Sequence, residues 1–241
     1  MNRPTIDEPY WLYGLHAVRA ALQNPRRKVH RMVASKNALN RLDVPPPAAG
    51  VEEMDVRAIN RLLGDAVHQG IAVWVDPLEP KTLDALAGAR TVLCLDHITD
   101  PHNVGAILRS AVAFRVDAVV TTTRHSASET GALAKAASGA LDLIDLVTVV
   151  NLSRAIGEMQ AMGFATVALD SAADDALEDL APEPRWAFVL GAEGKGVRKG
   201  VIEACGRLVR IEAPGALASL NVSNAAAITL YAAHRSLLTP Q

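Results

Sequence analysis

The sequence predicts an α/β chain: a small N-terminal α/β unit, then a larger domain on a mostly parallel sheet. Three observations carry this. Short apolar, strand-like runs recur along the chain, and helical patterns lie between most of those after residue 90. Thr91 to Leu95 is a continuous apolar run, as expected of a strand buried on both faces of a parallel sheet. Pro77 and Pro80 bar a continuing strand or helix and so mark a join. At about 150 residues per domain, 241 residues allow one large domain or a small plus a medium one. The expected division is a domain over 8–76, a linker over 77–87 and a second domain over 88–241.

In chain order, Gly14 to Gln23 reads as a helix, ended by Asn24 and Pro25. Val29 to Ala34 reads as a strand. Val44 to Gly50 holds three consecutive prolines and reads as a loop. Val56 to Leu63 reads as a helix and Ile71 to Val75 as a buried strand. A short helix is expected over Thr82 to Ala87. The second domain then offers strands at Thr91–Leu95, Ala118–Thr121, Leu143–Val150, Ala165–Leu169, Trp186–Leu190 and Leu208–Ile211.

Half of the chain is hydrophobic and 21% is charged, which excludes a disordered chain. No uninterrupted apolar run reaches the ~18 residues of a membrane span. Met1 to Glu8 contains no apolar stretch of a secretory signal. A cytoplasmic protein with no membrane partner is expected. The two cysteines, Cys94 and Cys205, are far apart and cannot build a four-ligand thiolate site. Both are expected as buried reduced thiols, with no metal.

The formal net charge of −2 speaks against a strongly basic nucleic-acid binder. The charges are unevenly spread, however. Met1 to Leu42 holds eight Lys/Arg and two acids, so it carries +6 and the remainder −8. Arg26, Arg27, Lys28 and Arg31 are densest and share this segment with Tyr10, Trp11 and Tyr13. Cations hold phosphates and rings stack bases, so this is a candidate surface for a nucleic-acid backbone. The bland alternative is a solvated loop beside a hydrophobic anchor.

Three later segments concentrate polar chemistry. Asp96 to Arg109 follows a strand and opens a helix. Val104, Ile107, Leu108, Ala111 and Val112 form its core stripe, and Pro101 suits the first turn. Arg109 falls beside that stripe and leans back towards Asn103, about 9 Å along the axis. Gly191 to Gly196 follows the next strand end and packs three glycines into six residues, which permits close backbone approach to a ligand. It is not a phosphate-binding Walker loop, since Val197 and Arg198 stand where Lys and Ser/Thr are needed. Ile211 to Asn224 carries Ser219, Asn221 and Ser223 ahead of an Ala-rich helix. Ser223 or Asn224 can cap that helix, and no hydrolase nucleophile elbow surrounds Ser219.

Taken together and in this order, the three segments resemble the motifs of the SpoU, or TrmH-like, family of RNA ribose 2′-O-methyltransferases. Asn103, Gly105 and Arg109 match its first motif, Gly191 to Gly196 with Glu193 its second, and Ile211 to Ser223 with Ser219, Leu220 and Asn221 its third. The front region is similar to the substrate-binding domain of the ribosomal-RNA branch through Tyr13 to Val18 and His68 to Ile71. The resemblance implies a second domain threaded as a trefoil knot, S-adenosylmethionine as cofactor, and a homodimer paired through the knotted domain. It implies cofactor contacts at Gly191, Ile211 and Leu220; the candidate RNA contacts, Arg26, Arg27, Lys28 and Arg31, rest on the charge density alone. It implies that Arg109 is essential, as base or as electrostatic stabiliser of a developing alkoxide; a guanidinium is a poor base. Asn103, Glu193, Ser219 and Asn221 would position Arg109, the ribose and the adjacent phosphate. The expected substrate is a guanosine of 23S rRNA. Transfer RNA, or a catalytically silent role in RNA binding or ribosome assembly, are the competing readings. One departure stands out: the family commonly has Ile-Pro-Met at the third motif, where this chain has Ile211, Glu212 and Ala213, with Pro214 displaced.

Overall fold

The computed structural model describes residues 8–215 and 220–238. It divides into two compact units. One comprises the chain up to Glu79 together with Ser128–Leu143, and the other comprises Pro80–Ala127 and the chain from Ile144 onward.

The front unit runs β1 (Tyr10–Tyr13), α1 (Leu15–Gln23), β2 (Val29–Ala34), α2 (Lys36–Arg41), β3 (Glu52–Glu53), α3 (Val56–Leu63) and β4 (Ile71–Val75). Its sheet has the order β1-β4-β2-β3, with β4 antiparallel to both neighbours. Leu12, Val18, Met32, Ile59, Ile71 and Val73 are fully buried and form its core. Ser35 and Asp55 cap α2 and α3 by accepting the N–H groups of Ala38 and Ala58. The sequence pattern predicts no strand at Tyr10–Tyr13. That short run becomes a strand only by pairing with β4, where Trp11 lies opposite Trp74 and their rings meet at 5.3 Å.

The second unit runs β5 (Thr91–Asp96), α4 (Pro101–Ala113) and β6 (Ala118–Thr122). The chain then supplies α5 (Gly131–Ala137) to the front unit. It resumes with β7 (Asp145–Val149), α6 (Leu152–Ala161), β8 (Ala165–Leu169), β9 (Asp175–Ala176), β10 (Trp186–Gly191), α7 (Lys199–Ile202), β11 (Arg207–Arg210) and α8 (Val222–Leu238). These seven strands form one sheet of order β7-β6-β5-β10-β8-β11-β9, with every neighbouring pair parallel. Val92, Cys94, Val120, Val147, Ala187 and Val189 enter one buried cluster. The alternate residues Leu93, Leu95, Val119 and Phe188 are buried too. Burial on both faces explains why these strands read as unbroken apolar runs. The expected helix over Thr82–Ala87 is a single 3-10 turn at Leu83–Leu86, since Pro80 and Gly88 leave room for little more.

Residues 128–143 lie within the span that the sequence reading assigns to the second domain. Their inclusion in the front unit has a physical cause. Arg27 is buried and bonds Asp142 through Nε at 2.8 Å and Glu129 through Nη1. Tyr10 donates its hydroxyl to the same Glu129 at 2.8 Å. Asn24 Nδ2 also reaches Asp142, at 3.0 Å. These charges are satisfied only while the segment stays packed there.

Candidate active site

Sheet pairing brings the first two motifs together. In the parallel pair β5–β10, Gly191 lies opposite Asp96, so both polar loops leave the sheet at the same edge. Open α/β sheets bind ligands at the carboxyl ends of their strands. Asp96 is fully buried, and its carboxylate accepts from Arg198 N at 2.9 Å and from Arg198 Nε at 2.8 Å. This pair latches the far end of the glycine loop to the end of β5. Between them, Gly196 N donates to Ala192 O at 2.8 Å and folds the loop back on itself. A Cβ on Gly191 would lie 2.0–2.2 Å from backbone atoms of Gly196 and Val197. Only glycine fits there. Gly194 and Gly196 take φ of +75° and +64°, which the turn requires.

A cleft of about 200 Å³ opens beside this loop. Gly191, Ile211 and Leu220, the three expected cofactor contacts, all line it. Leu169, Asp170 and Ser171 line it as well. The sequence reading missed these three, although two polar residues directly after a buried strand were a usable signal. Ala213 also lines the cleft, while the Glu212 carboxylate pairs with Arg210.

At its lip lies a small polar lattice. Asn103, in the first turn of α4, donates from Nδ2 to Glu193 Oε1 at 3.3 Å. Asn221 donates from Nδ2 to Asn103 Oδ1 at 3.0 Å and to Glu193 Oε1. Val222 N, the start of α8, points at the same Glu193 oxygen at 3.4 Å. Asn221 Oδ1 in turn accepts from Ser223 N at 2.9 Å, capping α8. Asp100 caps α4 by accepting from His102 N and Asn103 N, both at 3.2 Å. So Asn103, Glu193 and Asn221, separated by up to 118 residues, meet at one point. Arg109 lies exposed on α4 and makes no hydrogen bond or ion pair with other described residues. Ser219 lies outside the described residues.

The expected RNA contacts divide. Arg26 and Lys28 are exposed, with Lys28 3.5 Å from Asp76. Arg31 grips Glu52 through Nε and Nη2 at 3.0 and 2.7 Å and lies over the Trp11 ring at 5.7 Å. Arg27, expected as an RNA contact, is not one: its side chain is wholly inaccessible, so it cannot touch a phosphate backbone. Burial opposes its charge, but the Asp142 hydrogen bond, with help from Glu129, outweighs burial and holds it more firmly protonated than a free guanidinium. Tyr10 is likewise packed into this network, its acidity suppressed by burial and by the neighbouring Glu129 carboxylate. The charge split also changes. Counted over the front unit as folded, Lys/Arg and Asp/Glu number eleven each, so the +6 of the first 42 residues is offset within its own unit. Among the described residues, no group of three His, Cys, Asp or Glu side chains is placed to hold a metal. Both cysteines are free, and burial with the nearby Asp96 pushes the Cys205 thiol up to about 12.

A parallel α/β sheet with a glycine-walled cleft and an Asn–Glu–Asn lattice at its strand ends is a ligand-binding enzyme domain of the α/β class. Residues 90–231 match the SpoU rRNA Methylase family, and residues 11–81 match the family described as RNA 2′-O ribose methyltransferase substrate binding. The chain belongs to the SpoU rRNA methylase family. It is 35% identical over 241 aligned positions to a protein of Xanthomonas campestris pv. campestris named 23S rRNA (guanosine-2′-O-)-methyltransferase RlmB, covering 95% of this chain and 97% of that one. It is 36% identical to the protein of the same name from Pseudomonas aeruginosa, covering 91% and 94%. Its fold is that of an AdoMet-bound rRNA methyltransferase from Sinorhizobium meliloti, with a TM-score of 0.82, 23% identity, and coverage of 96% of this chain and 89% of that chain.

Proposed function

We propose that this protein methylates a ribose 2′-oxygen of RNA, with a guanosine of 23S rRNA as the target and S-adenosylmethionine as the donor. The single observation that carries the reading is the Asn103–Glu193–Asn221 lattice on the lip of the cleft that Gly191, Ile211 and Leu220 line. The names of the relatives, matched along nearly the whole chain, support the substrate.

The cleft fits the cofactor in kind. Gly191 leaves backbone bare where a Cβ would clash, and Ile211 and Leu220 offer apolar walls for an adenine. When bound, S-adenosylmethionine supplies an electrophilic sulfonium methyl group. The chain's own residues do the rest. Glu193 Oε1 is occupied by the two asparagines and Val222 N, which leaves Oε2 to accept from a ribose hydroxyl. Asn103 and Asn221 fix that carboxylate in place. The 2′-oxygen would take the methyl group as its bond to sulfur breaks, leaving a neutral thioether; the hydroxyl proton would pass along its hydrogen bond to Glu193 Oε2 and on to solvent, and Arg109 would stabilise the charge that develops on the oxygen. Ser219 contributes a further hydroxyl towards the substrate. Exposed Arg26, Lys28 and Arg31 of the front unit hold RNA phosphates. The second unit is threaded as a trefoil knot and pairs with a second copy, which would cover the exposed Ile228 and Tyr231 of α8. The protein acts in the cytoplasm, in keeping with its two free cysteines.

The test is transfer of labelled methyl from S-adenosylmethionine to unmodified 23S rRNA, followed by digestion to nucleosides. Label in 2′-O-methylguanosine is the expected result. Label in transfer RNA alone would move the substrate, and no label in any RNA would remove the activity.

A further inference from the structure

Two histidines at the carboxyl edge of the sheet have no part in the site described above. His97 follows β5 directly and His125 lies just beyond β6, the strand paired beside it. Both hold left-handed backbone, with φ of +59° and +61°, where glycine is at ease and histidine is strained. Their rings face each other at 4.6 Å with a 39° tilt. Neither imidazole makes a hydrogen bond to another described residue. The groups acting on His97 are Arg198, Asp96, His125 and Lys195. Asp96, the one carboxylate among them, is already taken by Arg198. Arg124, adjacent to His125, is exposed. The outcome is a pair of unpartnered ring nitrogens amid positive charge, one residue from the strand end that faces Gly191.

We infer that His97 and His125 together bind a backbone phosphate of the RNA substrate, beside the nucleotide that is methylated. The inference rests on the reading of the substrate as RNA. A phosphate suits the pair because two imidazoles can donate to its oxygens and, with Asp96 and Arg198 paired to each other, the charges that remain beside them, Lys195 and Arg124, are positive. Burial, reinforced by Arg198 and only partly opposed by Asp96, lowers the pKa of His97, which favours its neutral ring in the free protein. An arriving anion favours the charged ring. RNA binding therefore takes up a proton and tightens as pH falls.

The experiment measures the dissociation constant of a 23S rRNA transcript at pH 5.5, 7.0 and 8.0. It uses the wild type, His97→Gly, His125→Ala, the double variant, His125→Arg and His125→Phe, with S-adenosylmethionine affinity and Tm measured beside it. The double variant is expected to bind RNA about tenfold more weakly, matching one lost charge-assisted contact pair, and to lose most of the pH dependence. Cofactor affinity stays within twofold. His97→Gly keeps or raises Tm, because glycine adopts that backbone freely. His125→Arg retains tight RNA binding with a flatter pH profile. Unchanged RNA affinity and pH slope in the double variant would overturn the proposal. So would a His97→Gly variant whose Tm and cofactor affinity fall together, which marks a purely structural role. Rescue by His125→Phe equal to that by His125→Arg would assign the pair to base stacking and overturn it too. Failure of the wild type to methylate any RNA would instead strike at the reading of the activity, and the two failures are separable.

Discussion

Gly191 sets the shape of the cleft, because backbone atoms of Gly196 and Val197 occupy the place of any Cβ. Gly191→Ala must push the loop away, and it should weaken S-adenosylmethionine binding at least about tenfold, as a lost close backbone contact does; calorimetric titration with the cofactor checks this. Arg27 gives a prediction of the opposite kind. Arg27→Met leaves Glu129 and Asp142 buried without their cation, which should destabilise the front unit by about 3–5 kcal/mol, read as a lower urea midpoint, with little direct effect on RNA contacts. The two residues also show how far sequence reading reaches. Gly191 was legible because it opens a glycine-dense stretch directly after a buried strand, where bare backbone marks a close approach. Arg27 was misread because its neighbours Arg26 and Lys28 are exposed, and its partners Glu129 and Asp142 lie more than 100 residues away. No local pattern announces such a pairing. The Asp96–Arg198 latch was hidden for the same reason.

Elements were most legible where burial decides them, as in β4 and β8, or where caps bound them, as Asp55 and Gly64 bound α3. β4, β8 and α3 occur over the expected residues, Ile71–Val75, Ala165–Leu169 and Val56–Leu63. β1, β3 and β9 were not, because strands of two to four residues exist only through their partners. The turn into β4 yields a pH prediction. His68 is buried, its Nδ1 accepts Gly70 N–H at 2.9 Å, and its Nε2 meets Asn60 Oδ1 at 2.5 Å, so the ring is held neutral. Burial, then the nearby Lys135 charge, lowers its pKa below 6.5. As pH falls through 6.5, the unfolded chain takes up a proton before the folded one does. Stability is therefore full above that pH and declines below it, down to the lowered folded value. Urea melts at pH 5.0 and 7.5 should show this fall, and His68→Gln should show less of it. A wild-type midpoint that rises on acidification would contradict the assignment.

The molecule as a whole changes the meaning of its charge. The sequence places +6 in the first 42 residues, yet the front unit as folded is neutral by formal count and the second unit carries the net −2. On the proposed reading, RNA is attracted by local groups such as Arg26, Lys28 and Arg31 rather than by the net field of a unit. Raising salt from 50 to 200 mM should still weaken RNA binding in proportion to the phosphates contacted, while cofactor binding changes little. Equal salt sensitivity of the two would count against that division of labour. Whether the cleft and its lattice serve to modify the ribose of an rRNA guanosine is decided in the cell. Ribose 2′-O-methyl sites are mapped across 23S rRNA from cells lacking this protein and from the same cells supplied with wild type or Arg109→Ala. Without the protein, one guanosine is expected to lose its 2′-O-methyl group; wild type restores it and Arg109→Ala does not, although the variant still binds S-adenosylmethionine. A methylation map unchanged by loss of the protein, or restored in full by Arg109→Ala, would contradict the proposed activity.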